Sequence, residues 1–145
     1  MLKYNPSINT GRLKIIVSDG LLLTNIILIQ ENGRIIKETL LNAQDIYGMT
    51  PLHYAMRAEN GDAAMVLLEA GADPNIETYA DQGIPLAMIG GIPDRLDVLK
   101  AMLDKGADVY HPVKNANMSL LDFMKTYFSD DQSLKPIIAL MEQYA

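Results

Sequence analysis

The sequence predicts an all-α solenoid of about four stacked helix-turn-helix units with short connecting hairpins, the end units being degenerate. Three observations predict it. Gly71-Ala72-Asp73 recurs as Gly106-Ala107-Asp108, 35 residues on, and Pro51-Leu52 recurs as Pro85-Leu86, 34 residues on. Before each Gly-Ala-Asp lies an apolar stretch, Ala63 to Leu68 and Leu96 to Leu103. In the second stretch Leu96, Leu99, Met102 and Leu103 fall at helical spacing and read as one buried stripe. A period of this length with turn residues at fixed offsets marks stacked supersecondary units, each burying its apolar face on the next.

Composition sets the outer bounds. The chain has 145 residues, 49% hydrophobic and 21% charged, enough for one domain that hides roughly 70% of its unfolded surface. With no cysteine, disulfide scaffolds, thiolate zinc sites and cysteine nucleophiles are excluded, and a reducing, cytoplasmic setting is expected. Eighteen Asp and Glu against twelve Lys and Arg give a net charge of −6. That argues against nucleic acid as the partner, which would need a basic face. The charge is uneven: residues 1–44 carry a net +2 and residues 45–145 a net −8, a field suited to a basic partner. The most apolar run, Leu21 to Ile29, is nine residues with Thr24 and Asn25 inside it. A membrane span needs about 20, so neither a span nor a secretory signal is expected.

One unit is nearly complete. It reads Asp45-Ile46-Tyr47-Gly48-Met49-Thr50-Pro51-Leu52-His53-Tyr54-Ala55 and continues Leu67-Leu68-Glu69-Ala70-Gly71-Ala72-Asp73-Pro74-Asn75. In register from Asp45 through Gly48 to Asn75, this set resembles an ankyrin repeat almost position for position, with its Thr-Pro-Leu-His core and its period of about 33 residues. The physics fits the match. Thr50 suits an N-cap, where its hydroxyl takes an unpaired backbone N–H. Pro51 suits the first helical position, where a missing N–H costs nothing. Leu52 and Ala55 would face the neighbouring unit, and Gly71 suits the left-handed position that ends the second helix.

The other units are poorer copies, dividing the domain into 1–44 (an N-terminal extension and degenerate first repeat), 45–77, 78–111 and a capping repeat at 112–145. Residues 1–19 match no unit, although Arg12 to Val17 reads as a partial helix or strand covering the open N-terminal end. Thr24 to Gly33 resembles the first helix and turn of a unit, Arg34 to Leu41 its second helix, and Asn42-Ala43-Gln44-Asp45 its hairpin. In the 78–111 unit, Gly83-Ile84-Pro85-Leu86-Ala87 lacks the Thr and His. There Thr78 and Tyr79 read as an insertion, Gly90-Gly91-Ile92-Pro93 as a longer inter-helix loop, and Asp94 as the N-cap of the next helix. In the last unit Ser119 takes the capping role. Ser133 is the expected cap of the final helix, which keeps Pro136 in the tolerated first turn.

No residue set forces chemistry. His53 belongs to the repeat motif, where the resemblance implies a structural hydrogen-bonding role, and His111 lies in a hairpin before Pro112. No second His or Cys sits at metal-ligand spacing. Asp94, Asp97 and Asp104 lie around the polar side of one helix, and Asp130-Asp131 form a solvated pair without a partner site. Gly90-Gly91 lacks the Lys-Ser/Thr of a phosphate cradle. Met65, Met102 and Met141 read as core filler, whereas Met49 and Met118 map to an exposed position just before a cap. No catalytic residue, cofactor or metal is therefore expected.

The ankyrin resemblance implies a non-catalytic, monomeric protein-binding module that uses its hairpin tips and the concave face of its first helices. Carried over residue by residue, this gives Ile46, Tyr47, Met49 and Arg57 from the first clear unit. The next gives Asp81, Gln82 and Ile84, and the last gives Asn115, Ala116, Met118 and Tyr127. Tyr47, an aromatic at an expected solvent position, is the leading hot-spot candidate. Three other readings stand beside this one: a self-assembling structural subunit, an effector or neutraliser directed at one basic protein, and an enzyme with a site near His111 and Asp81. Asn75, with Leu67 eight residues earlier, also resembles the family's asparagine hydroxylation pattern.

Overall fold

The computed structural model describes residues 40–145 with their side chains and, ahead of them, the backbone of four strands. These are β1 (Leu2–Tyr4), β2 (Leu13–Ser18), β3 (Ile26–Glu31) and β4 (Arg34–Leu40). They form an antiparallel sheet in the order β1-β2-β3-β4. Ile15 pairs with Ile29 across β2 and β3, and Ile29 with Lys37 across β3 and β4, with a register shift between Ile29 and Gln30. The helix pair that the resemblance implied for Thr24 to Leu41 is therefore corrected to two strands. Thr24, Asn25 and the Asn32-Gly33 turn lie outside the described residues. The cause is local. Ile26, Ile27, Ile29, Ile35, Ile36 and Thr39 are β-branched, losing side-chain freedom in a helix and fitting a pleated surface. Of the two readings left open for Arg12 to Val17, the backbone takes the strand.

Residue 45 onward forms the helical solenoid. It runs α1 (Pro51–Arg57), α2 (Gly61–Glu69), a 3-10 segment (Pro85–Gly91), α3 (Leu96–Asp104), a two-strand hairpin of β5 (Pro112–Val113) and β6 (Met118–Ser119), α4 (Leu120–Phe128) and α5 (Lys135–Gln143). Each unit contributes a first helix (α1, the 3-10 segment, α4) and a second (α2, α3, α5), and strand β2 lies against α2.

Local chemistry explains most of the boundaries. Thr50 starts α1 with a reciprocal cap: its hydroxyl accepts the His53 N–H, while the His53 ring accepts the Thr50 N–H. Pro51 takes the first turn. Gly71 has φ +99° immediately after Ala70, the C-cap of α2. Ser119 Oγ accepts the Asp122 N–H at 3.1 Å. Helix α5 starts at Lys135, with Leu134 at the cap position and Pro136 in the first turn. Ser133, one residue earlier, donates its N–H and hydroxyl to Asp131 Oδ1.

Besides the cap of α5, which falls to Leu134 and not to Ser133, three details differ from the sequence reading. Arg95, not Asp94, occupies the cap position of α3, with no side-chain cap bond. Its guanidinium instead joins Asp62 of α2 and Asp97 of α3, each at 2.9 Å, so the two second helices are tied together by charge. Leu96 is 38% exposed because it lies at the helix start; Val98, Leu99, Met102 and Leu103 form the buried stripe. Gly90 and Gly91 end the 3-10 segment instead of forming a loop. Between α1 and α2, Glu59 takes φ +55°, and Asn60 caps α2 by accepting the Ala63 N–H.

The core is one apolar seam running through the units. Leu52 and Met56 of α1, Leu67 and Leu68 of α2, Leu86 of the 3-10 segment, and Leu99 and Met102 of α3 are almost fully buried. Ile137 and Met141 extend it into α5. Such side chains each contribute roughly 1.5–3 kcal/mol by burial.

Candidate protein-binding surface

The hairpins are built from a repeated joint. Asn42 Oδ1 accepts the Asp73 N–H at 2.8 Å, and Asn75 Oδ1 accepts the Asp108 N–H at 2.9 Å. Asn75 also donates its amide to the Gly106 carbonyl at 2.8 Å, so both polar atoms of its side chain are engaged by the next unit. Gln44 adds donations to the carbonyls of Gly48 and Glu77. Asn42 thus makes to Asp73 the bond that Asn75 makes to Asp108, even though the segment before it is sheet.

Two features then fix the first tip. Asp45 Oδ1 accepts the N–H groups of Tyr47 and Met49, a turn that asparagine and aspartate favour. Gly48, at φ +80°, lets the next hairpin approach closely: a Cβ there would lie 2.6 Å from the Tyr79 nitrogen. In that contact the Tyr79 N–H donates to the Tyr47 carbonyl at 3.0 Å.

The exposed candidates are Ile46 and Tyr47, at 84% and 63% exposure, with Asp81, Gln82 and Asn115 on later hairpins. Arg57 is exposed on α1, and Tyr127 is exposed on α4, where its ring meets that of Phe123 at 4.9 Å. Ala116 and Met118 are half-buried in the last hairpin. Two candidates are corrected: Met49 is 8% exposed and Ile84 is fully buried. Each stands just ahead of a first helix, where the chain turns inward. Ile84 holds the cap position of the 3-10 segment, and Met49 sits beneath Arg57, whose Nη1 is 3.7 Å from its sulfur. Tyr79, which the sequence marks only as part of an insertion, and Tyr110 are not among the expected binding residues, yet both are exposed on hairpins. The signal that would have found them is the one that found Tyr47, an aromatic at a turn position.

Around the first tip the electrostatics are local. The Arg57 guanidinium lies over the Tyr54 ring, 5.5 Å from its centroid, and the Tyr54 hydroxyl donates to Asp45 Oδ2. Burial, helped by that carboxylate, pushes the Tyr54 phenol up to about 12. On the next hairpin, Asp81 Oδ1 accepts from the Thr78 hydroxyl and the Gly83 N–H. Those bonds hold the Asp81 carboxyl below its usual value.

His111 and Asp81 do border one groove. The His111 Nε2–H, however, donates to the Gln82 carbonyl at 2.7 Å, and Asp81 is tied into its own turn. Among the described residues no group of three or more His, Cys, Asp or Glu could hold a metal ion, and no helix is long and apolar enough to cross a membrane.

Residues 47–79 match the family model of the ankyrin repeat. The chain is 37% identical over 89 residues to FPV244 of fowlpox virus (strain NVSL), named for its ankyrin repeats, with 56% of this chain and 13% of that protein covered. It is 35% identical over 82 residues to the mouse (Mus musculus) ankyrin repeat and SOCS box protein 6, covering 56% of this chain and 20% of the relative. The human protein of the same name is 34% identical over 82 residues, with the same coverage. The chain thus spans a fifth or less of the length of these relatives.

Proposed function

We propose that this chain, an ankyrin-repeat protein, is a non-catalytic binding module that holds one protein partner on its hairpin tips and the exposed side of its first helices. The observation that carries the reading is the Ile46-Tyr47 pair. Two large side chains stand in solvent on a tip that Asp45, Gly48 and the Tyr79 N–H hold in one shape. A rigid exposed aromatic binds with little ordering cost, and tyrosine and arginine are enriched among interface hot spots. Asp81, Gln82 and Asn115 on the following hairpins and Arg57 and Tyr127 on the first helices extend the face. Ankyrin repeats generally serve protein–protein interaction.

The partner favoured by charge is basic, since residues 45–145 carry a net −8 and such a field steers a cationic protein. That is the chemistry of a neutraliser or effector aimed at one basic protein in the cytosol.

Affinity capture with wild type beside an Ile46→Ala/Tyr47→Ala variant tests the face. A protein held by wild type and released by the variant is expected. A protein held equally by both overturns the hairpin face, and self-association of the wild type with no captured protein favours the structural-subunit reading.

A further inference from the structure

The insertion at Thr78 and Tyr79 folds into a closed loop. The Thr78 N–H donates to the Gly83 carbonyl at 3.0 Å. In return the Gly83 N–H donates to the Thr78 hydroxyl oxygen at 3.2 Å and to Asp81 Oδ1 at 3.1 Å. Both neighbouring hairpins fasten the loop from outside. On one side the Tyr79 N–H donates to the Tyr47 carbonyl. On the other, Lys114 donates to the Ala80 carbonyl and His111 to the Gln82 carbonyl. The loop is therefore held in one shape, and the side chains it leaves in solvent include those of Tyr79 and Asp81.

Core packing does not account for this order, since Tyr79 is 62% exposed. Its ring lies over Gly48, with Cγ and Cδ1 at 2.9 and 2.8 Å from where a Cβ would stand. Gly48 follows Tyr47 in the chain, so two exposed tyrosines from joined hairpins share one site. The charge beside them is unbalanced. Between Arg57 and Arg95 the chain carries seven carboxylates and no Lys, Arg or His. Of these, Asp73, Glu77 and Asp81 are exposed on the middle hairpin. Among the described residues none of the three forms an ion pair with Lys or Arg, and only His111 comes near, 3.8 Å from Glu77. The nearest cations are engaged elsewhere, Lys114 on its carbonyl and Arg57 over the Tyr54 ring.

Exposed tyrosine rings beside unpaired carboxylates fit a guanidinium better than an ammonium. The guanidinium is planar and weakly hydrated, so it stacks on an aromatic face while its N–H groups reach a carboxylate. We infer that this joint is an arginine-binding subsite, in which an arginine from a segment of a basic protein stacks on the tyrosines and pairs with Asp81. The inference rests on the binding-module reading and its basic partner, and adds the residue type that the partner presents.

Fluorescence polarisation of two labelled peptides of equal charge, an arginine–glycine repeat and a lysine–glycine repeat, titrated with the full chain, tests it. The arginine peptide should bind about threefold tighter or more. Tyr79→Leu keeps an apolar side chain but removes the ring, and should bring the arginine peptide down to the lysine level. If that variant fails to fold, as a melting curve would show, Tyr47→Leu carries the same expectation. Asp81→Asn keeps an acceptor oxygen for Thr78 and Gly83 but removes the charge, and should weaken both peptides, most at low salt. The inference is overturned by equal affinity for the two peptides, by binding of neither, by an arginine preference that survives loss of the ring, or by wild-type binding in Asp81→Asn. If it is overturned while affinity capture still returns a protein released by Ile46→Ala/Tyr47→Ala, the subsite falls and the binding module stands.

Discussion

His53 Nε2 lies 3.1 Å from the carbonyl oxygen of Gly83, thirty residues further along the chain. The opposite ring nitrogen, Nδ1, accepts the Thr50 N–H at 3.1 Å, so Nε2 carries the proton and donates it across to the next hairpin. One neutral imidazole therefore closes a helix cap and joins two repeats.

This arrangement makes stability depend on pH. Burial of His53 lowers its pKa below the ordinary 6.5, so the unfolded chain takes up a proton before the folded one. Its contribution is fully present above pH 6.5 and is lost as pH falls from there toward the lower folded value. The urea midpoint should fall between about pH 7.5 and pH 5, and His53→Asn should flatten that slope while lowering overall stability. An unchanged slope in the variant would place the titration elsewhere.

Gly71→Val should destabilise by at least about 1 kcal/mol, because a β-branched residue is strained at φ +99°. Crowding is not the cause, since the nearest atom to a Cβ there is Leu41 Cδ2 at 4.0 Å. Gly71→Asn should consequently cost less than Gly71→Val. Equal losses in thermal melts would contradict a backbone origin.

Glu59→Gly should act in the opposite direction. Glu59 is a non-glycine residue at φ +55°, so glycine relieves strain and should raise stability by about 0.5–1 kcal/mol, read from denaturant midpoints. A loss would mean that the Glu59 side chain contributes more through its contacts near Gly91 than its backbone costs.

Asn75→Ala removes an acceptor for the Asp108 N–H and a donor to the Gly106 carbonyl. It should cost about 1–2 kcal/mol. Asn42→Ala, which removes the bond to Asp73, should cost about 1 kcal/mol. Asp73 links the two joints, donating its N–H to Asn42 and accepting the Asn75 N–H on Oδ1, so the double variant should depart from additivity. Simple additivity would show that the two hairpins act independently.

The legible parts of the chain were those where chemistry acts within a few residues. Thr50, Pro51, Gly71 and Ser119 mark boundaries because caps and left-handed turns are decided by one side chain. Pro136 located the last helix to within a residue for the same reason. The strands at Ile26–Glu31 and Arg34–Leu40 were not legible, since a short apolar run has no periodicity to separate helix from strand. The ankyrin resemblance pulled that reading toward helix, and β-branching decided against it. In the candidate face, Ile46 and Tyr47 followed from their turn. Met49 and Ile84 did not, because whether the residue before a helix faces out depends on what packs beneath it. Arg95 is a similar case: beside its bonds to the nearby Asp97, its guanidinium reaches Asp62, 33 residues earlier. The groove that His111 and Asp81 border exists only once Phe123 and Phe128 join Gly90 in lining it, which no local pattern reveals.

The asparagine joints have an evolutionary corollary. Asn42 and Asn75 reach forward to the same backbone position of the following unit, an N–H at Asp73 and at Asp108. A duplication of residues 42–74 spliced in tandem would therefore carry its own fastener and meet a fitting socket on each side. Lengthening such a chain requires no new adhesive between old and new modules, only another copy of the same latch.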